Sequence, residues 1–196
     1  IMTGRTDIAL AIGVENMSMS PYLIPKARTG YRMGSAEMPD AMLLDALICS
    51  VEGYHMGVTA ENVAAKYAIS RQEQDALALV SQQRASEAIQ KGNFKDEIVP
   101  VTVTEKKQTI LFEVDEHPRP ATSPEGLAAL KPVFKKNGTV TAGNASGVND
   151  GAAAAVLMSA QKAQMLGIKP LAKVLSTASA GVEPALMGIG PAVSIP

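Results

Sequence analysis

The chain has 196 residues, 46% of them hydrophobic, and a mean hydropathy of +0.09, enough apolar material for a folded core and too much for a disordered segment. Eighteen basic and nineteen acidic side chains leave a formal charge of -1 and a pI near 6.2, which excludes the basic field that a nucleic-acid backbone demands, and 4% aromatic residues without Trp exclude base-stacking platforms. One cysteine, Cys49, cannot close an internal disulfide, which points to a reducing, cytoplasmic setting, and no apolar run approaches the roughly 20 residues of a membrane span.

In chain order, "DIALAIGVE" at 7–15 is apolar between its end charges and predicts a strand covered on both faces, as in a layered α/β core. Residues 16–40 are punctuated by Pro21, Pro25, Gly30, Gly34 and Pro39 and read as an irregular excursion. A short helix is expected over 41–49, with Cys49 inside it, and a second over "TAENVAAKYA", with Thr59 as N-cap and Glu61 in its first turn. "SRQE" at 70–73 is a capping box, opening a surface helix that runs to Lys91 and stops at Gly92, with Leu77, Val80, Ala85, Ala88 and Ile89 on one side. "EIVPVTVTEK" and "TILFEVDE" predict two strands, and residues 115–132 return to loop chemistry. "AAAAVLMS" reads as a second buried strand, 161–166 as a short helix ending at Gly167, and "LAKVLSTAS" as a third strand. The chain opens on Ile1 in what reads as a helix tail and closes on "GIGPAVSIP". Both ends are therefore expected to be cuts within a longer protein, which leaves room for an organellar leader upstream.

Few residues carry chemistry. Cys49 sits in "LLDALICSVEG" with no Lys, Arg or His beside it, so it reads as a small hydrophobe and not a nucleophile. His55, in "GYHMG", is either a hydrogen-bonded structural group or a ligand-facing one, and Met56 either fills core or lines an acyl slot. In "VDEHPRP", His117 reads as exposed, while Arg119 is a solvated charge or a bidentate phosphate holder. Neither histidine has a metal-ligand spacing to a partner, and no transition-metal site is expected. The stretch 139–159, "TVTAGNASGVNDGAAAAVLMS", holds one charge and no aromatic ring. Gly143, Asn144, Gly147 and Asn149 tolerate unusual backbone angles, and Ala142, Ala145 and Ser146 keep bulk away. The stretch is a turn between lobes or a main-chain surface that a thin ligand approaches closely, with the Ser146 hydroxyl on offer.

Five phrases carry a resemblance over nearly the whole chain: "GVENMS" at 13–18, "GYHMGVTAENVA" at 53–64, "DEHPRP" at 115–120, "TAGNASGVNDGAAA" at 141–154 and "GVEPALMGIGP" at 181–191. With these, the chain resembles a thiolase of the acetyl-CoA acetyltransferase branch. The resemblance implies an α/β fold: a thiolase-like layered core, partial, interrupted by a large irregular α+β loop domain. Residues 1–18 would end the first core domain, 19–147 would form the inserted CoA-binding loop domain, and 148–196 would continue the core.

The implied reaction condenses two acetyl-CoA molecules to acetoacetyl-CoA and CoA, and reverses by thiolysis, through an acyl-cysteine intermediate. The family's nucleophilic cysteine, its base histidine and its second cysteine belong to motifs this chain lacks, so the full-length protein is expected to be the enzyme and the chain alone inactive. Coenzyme A and acetyl-CoA enter as substrates, with no permanently bound cofactor. By the resemblance, Ser146 would hydrogen-bond the pantetheine arm, and Ala142, Ala145 and Gly147 would keep its groove narrow. His55 and Met56 would border the thioester end, Arg119 would lie near the nucleotide phosphates, and Phe134 would pack against pantetheine or adenine. A homodimer or tetramer is implied, with residues 22–40 at tetramer contacts. Competing expectations are a non-catalytic CoA-binding or assembly module from a truncated or split thiolase-like protein, and another superfamily member such as a ketoacyl synthase or sterol-carrier thiolase.

Overall fold

The computed structural model describes residues 1–105 and 108–195. In chain order its elements are β1 (Ile8–Glu15), a single π-helical turn (Met42–Leu47), α1 (Met56–Lys66), α2 (Arg71–Gln90), β2 (Val101–Glu105), β3 (Gln108–Phe112), α3 (Pro124–Ala128), β4 (Gly151–Met158), α4 (Ala160–Met165), a 3-10 turn (Pro184–Ile189) and α5 (Gly190–Ser194). They divide between two compact units. One is Ile1–Gly53 with Val148–Pro196, the other Tyr54–Gly147.

In the first unit, β1 and β4 pair antiparallel over their full lengths, from Ile8 opposite Met158 to Glu15 opposite Gly151. Ile12 and Val14 thus lie opposite Ala154 and Ala152 of the alanine run, and Leu10 opposite Val156, so both predicted strands exist. Neither is buried as expected: Leu10, Ile12 and Val14 are 59%, 66% and 75% exposed. A two-stranded ribbon has no second layer of its own, and burial on both faces requires one. The third predicted strand, 171–179, does not form. Its β-branched residues have the propensity, but a strand exists only with a ladder partner, and the sheet of β1 and β4 takes up no third strand.

The excursion closes on itself through an isolated antiparallel bridge, Tyr22 with Asp40, where Leu23 N–H donates to the Pro39 carbonyl at 2.8 Å and Ala41 N–H to Pro21 at 3.0 Å. Gly30 and Gly34 adopt φ of +91° and +126°, which explains two of its glycines. Ser18 N–H donates to Asp150 Oδ1 at 2.9 Å; that bond first, then the Ser18 hydroxyl, holds the Asp150 carboxyl below its ordinary range. The expected helix at 41–49 is the π turn Met42–Leu47, and it ends before Cys49, which is half-buried with its carbonyl accepting from Gly53 N–H at 2.7 Å. α4 is capped by Ser159 and ends at Gly167, whose φ is +66°.

The second unit is built around α1 and α2. α2 keeps its capping box, with Glu73 Oε2 accepting from Ser70 N–H at 2.7 Å and Ser70 Oγ from Glu73 N–H at 3.2 Å, and Gly92 at φ +70° ends the helix. Leu77, Val80 and Ile89 are exposed. The covered side is offset from them and runs along Arg71, Asp75, Leu79, Gln82 and Ser86, at the i, i+4, i+8 spacing of one helix face. β2 and β3 form an antiparallel hairpin, Val101 opposite Phe112. The core of this unit is small and partly polar: Ala64, Leu127 and Val140 are buried together with Thr59, Glu61 and Thr141.

Candidate functional site

All eight candidate residues belong to the second unit. α1 begins at Met56 because His55, extended at φ -61° and ψ 142°, caps it: the ring nitrogen Nδ1 accepts from Gly57 N–H at 2.9 Å. The expected cap, Thr59, is one turn further in, buried to 2% exposure, and its hydroxyl donates to the Met56 carbonyl at 2.6 Å. The face of the His55 ring meets Phe134, with centroids 4.6 Å apart and planes 26° from parallel. This stack needs Gly57, since a β-carbon there would stand within 2.5 Å of three Phe134 ring atoms. His55, Met56 and Phe134 are thus gathered at one helix N-terminus.

Glu61 does not serve the positive end of α1. It is buried to 5% exposure, and its carboxylate accepts from Thr139 N–H at 2.8 Å, Val140 N–H at 2.8 Å and the Thr139 hydroxyl at 3.0 Å. A buried carboxylate holding three donors pins residues 139 and 140 to the helix. Gly138 has no side chain because a β-carbon would collide with Glu61 Oε1 and lie 2.8 Å from its Cδ. Val133 N–H donates to the Val140 carbonyl at 3.1 Å, and Pro132 bridges Thr141. The strand-like segment bearing Phe134 is thereby tied to the start of the small-residue turn.

That turn, 141–147, is closed by Thr141 and Asn144. The Thr141 carbonyl accepts from Asn144 and Ala145 N–H at 3.3 and 3.1 Å, Thr141 N–H donates to Asn144 Oδ1 at 2.8 Å, and Gly143 N–H donates to Thr141 Oγ1 at 3.2 Å. The expectation of unusual backbone angles fails here, because Gly143, Asn144 and Gly147 are all outside the left-handed region. Gly143 is required for packing: a β-carbon would lie 2.6 Å from both Leu127 Cδ2 and Leu130 Cδ1. Its close neighbours are therefore the chain's own leucines. Ala142, Ser146 and Gly147 remain exposed and Ala145 half-buried, so small residues and one hydroxyl form an open surface of the turn.

Arg119 is exposed, and its loop is attached through the backbone. Its N–H donates to Gln82 Oε1 at 2.8 Å, and its carbonyl accepts from Thr122 N–H and the Thr122 hydroxyl at 3.1 and 2.7 Å. His117 is exposed. The turn is tied to the same helix, by Asn144 Nδ2 donating to Asp75 Oδ1 at 2.9 Å. Gln82 follows Asp75 by seven residues, so the two attachments are about 10 Å apart along α2. Sequence reasoning missed the groups that place these pieces: Glu61, Asp75, Gln74, which donates to Thr139 Oγ1 at 2.9 Å, and Arg71. The i, i+4 spacing of Arg71 and Asp75 was the one signal available. Among the described residues no three His, Cys, Asp or Glu side chains gather as a metal site, and no helix is long and apolar enough to cross a membrane.

Comparison with known proteins adds the family. Over residues 1–161 the chain matches the model of the thiolase N-terminal domain. It is 56% identical over 192 residues to an acetyl-CoA acetyltransferase of Chromobacterium violaceum and 54% identical over 192 residues to one of Escherichia coli, covering 97% of this chain and 49% of each relative. Among solved structures it matches an acetyl-CoA acetyltransferase from Syntrophomonas wolfei with a TM-score of 0.93 and 54% identity, over 100% of this chain and 49% of that one. It matches human mitochondrial 3-ketoacyl-CoA thiolase in complex with CoA with a TM-score of 0.86 and 44% identity, over 96% of this chain and 47% of that one. The chain spans about half the length of these relatives. With its fold and its matched residues in agreement, the chain belongs to the thiolase family, of mixed α/β fold, and carries that family's N-terminal domain.

Proposed function

We propose that the chain supplies the CoA-binding lobe of an acetyl-CoA C-acetyltransferase, which condenses two acetyl-CoA molecules to acetoacetyl-CoA and CoA and runs the thiolytic reverse. The observation that carries this reading is the exposed turn of minimal side chains, Ala142, Ser146 and Gly147, with half-buried Ala145, held beside the segment bearing Phe134. Pantetheine is slender and ends in a thiol, so a surface that admits it is made of backbone and methyl groups, with a few polar atoms to orient its amides. Ser146 offers such a polar atom. His55, Met56 and Phe134 supply an apolar and aromatic wall for the thioester end, and Arg119 a guanidinium for phosphate.

In this reading Cys49 is not the nucleophile. It belongs to the other unit, past the end of the π turn. The acyl-carrying thiolate and its base come from parts of the full-length protein outside these residues, and the whole protein works as a dimer or tetramer. The test is Ser146→Val in the full-length protein, with CoA binding measured by calorimetry. The branched apolar side chain removes the hydroxyl and narrows the surface, and the dissociation constant should rise about tenfold with the circular dichroism unchanged. Unchanged affinity would remove Ser146 from the site. CoA binding without acetoacetyl-CoA cleavage by the full-length protein would instead identify a non-catalytic module.

A further inference from the structure

We propose that Asp75 is the positioning residue of the 141–147 turn, setting the side-chain orientation of Asn144 and through it the path of the backbone that faces pantetheine. The inference rests on the reading of that turn as part of the CoA surface. Asp75 is 69 residues from Asn144 in sequence and lies outside every phrase that carries the family resemblance. Its side chain is only 13% exposed, and both oxygens are used: Oδ2 accepts from Arg71 Nε at 2.7 Å and Oδ1 from Asn144 Nδ2 at 2.9 Å.

The pair with Arg71 is poorly arranged for stabilising α2 itself. Helices gain most when the acidic partner precedes the basic one, and here Arg71 occupies the first turn, where the helix dipole disfavours a cation. Its location makes sense as tertiary structure. Arg71 Nη2 donates to the Leu127 carbonyl at 2.6 Å and the Leu130 carbonyl at 3.1 Å, at the end of α3. The side chains of those two leucines are the ones that close against Gly143. Asp75, Arg71, the end of α3, Gly143 and Asn144 therefore form a closed circuit, in which the turn is held from one side by leucine packing and from the other by an amide.

The orientation of that amide is the critical element. A carboxylate can only accept, so Asp75, together with the Thr139 carbonyl that accepts from the same Nδ2 at 3.1 Å, selects the nitrogen end of Asn144 and leaves Oδ1 to face Thr141 N–H. With Asp75 absent, the Thr139 carbonyl is left to hold Nδ2, and the preference for this orientation of the amide weakens. A flipped Asn144 would set its NH2 against Thr141 N–H, two donors in opposition, and the turn would have to open. Because Ala142, Ala145 and Ser146 follow from Thr141 within one turn, their placement depends on this choice.

The experiment uses the full-length protein and two probes measured by calorimetry: CoA, which carries the pantetheine arm, and adenosine 3',5'-bisphosphate, which lacks it. Asp75→Ala should raise the dissociation constant for CoA about tenfold and leave that for the bisphosphate within about twofold. Ser70→Ala is the control for a merely loosened helix, since it removes the cap of α2 and leaves the circuit untouched; CoA affinity should stay within about twofold. If Asp75→Ala yields no folded protein, Asp75→Asn carries the test, with a smaller rise of about threefold, because one acceptor oxygen survives but no longer dictates the flip. Equal weakening by Ser70→Ala and Asp75→Ala overturns the proposal, as does unchanged CoA affinity in Asp75→Ala while Ser146→Val binds poorly. If Ser146→Val and Asp75→Ala both bind CoA normally, the proposal and the site reading fall together.

Discussion

Gly57→Ala gives a direct measure of how tightly the helix start and the aromatic wall are built against each other. The new β-carbon would stand 2.5 Å or less from three Phe134 ring atoms, against the 3.4 Å at which contact becomes ordinary, so the ring must retreat by roughly 1 Å and its stack on His55 must loosen. Crowding of this kind costs about 1–3 kcal/mol. Alanine in place of glycine returns about 0.5–1 kcal/mol through helix propensity, leaving a net loss of about 1–2 kcal/mol. In a Phe134→Ala background the obstacle is gone and only the propensity gain remains, so the same substitution should become neutral or stabilising. The coupling energy between the two sites is then about 2 kcal/mol. Urea unfolding followed by far-UV circular dichroism on all four members of the cycle measures it, as midpoint shifts at constant slope. If Gly57→Ala costs the same with and without Phe134, within about 0.5 kcal/mol, the glycine is not there for the ring.

Three further outcomes are expected. Glu61→Ala leaves three donors at Thr139 and Val140 without their acceptor and should destabilise the protein by about 3–5 kcal/mol, seen as the largest drop in unfolding midpoint among these variants. Cys49→Ala should leave acyl transfer by the full-length protein and the yield of labelled acyl-enzyme nearly unchanged; loss of label would restore that thiol as a candidate. Glu73 is held below the ordinary carboxylate range first by Ser70 N–H and then by its hydroxyl, and Asp150 is lowered in the same way by Ser18. Depressed folded values mean that both contributions are complete above the ordinary carboxylate range and are lost as pH falls through the lowered one. Ser70→Ala should accordingly flatten the acid side of the stability profile.

What the sequence disclosed and what it hid divide by range. The α2 start at "SRQE" and its stop at Gly92 were legible because capping chemistry is settled within four residues. The strands β2 and β3 were legible as two adjacent β-branched runs. The cap of α1 was assigned to Thr59 because hydroxyls are the commoner caps, whereas the structure uses the His55 ring, which only the path of the preceding chain brings to Gly57. Strand 171–179 had the right composition and no ladder partner, which composition cannot report. Gly143 looked like a residue chosen for its backbone freedom and is instead a residue chosen for Leu127 and Leu130. The small-residue turn itself was visible in sequence, but Asp75 and Glu61, which hold it from 69 and 78 positions away, leave no local trace.

The cap on α1 also fixes a tautomer. With Nδ1 accepting from Gly57 N–H, a neutral His55 carries its proton on Nε2, so Nε2 is a donor with no lone pair to give. Such an imidazole can polarise or orient a carbonyl oxygen placed against it, and cannot take a proton from a thiol while the helix remains capped.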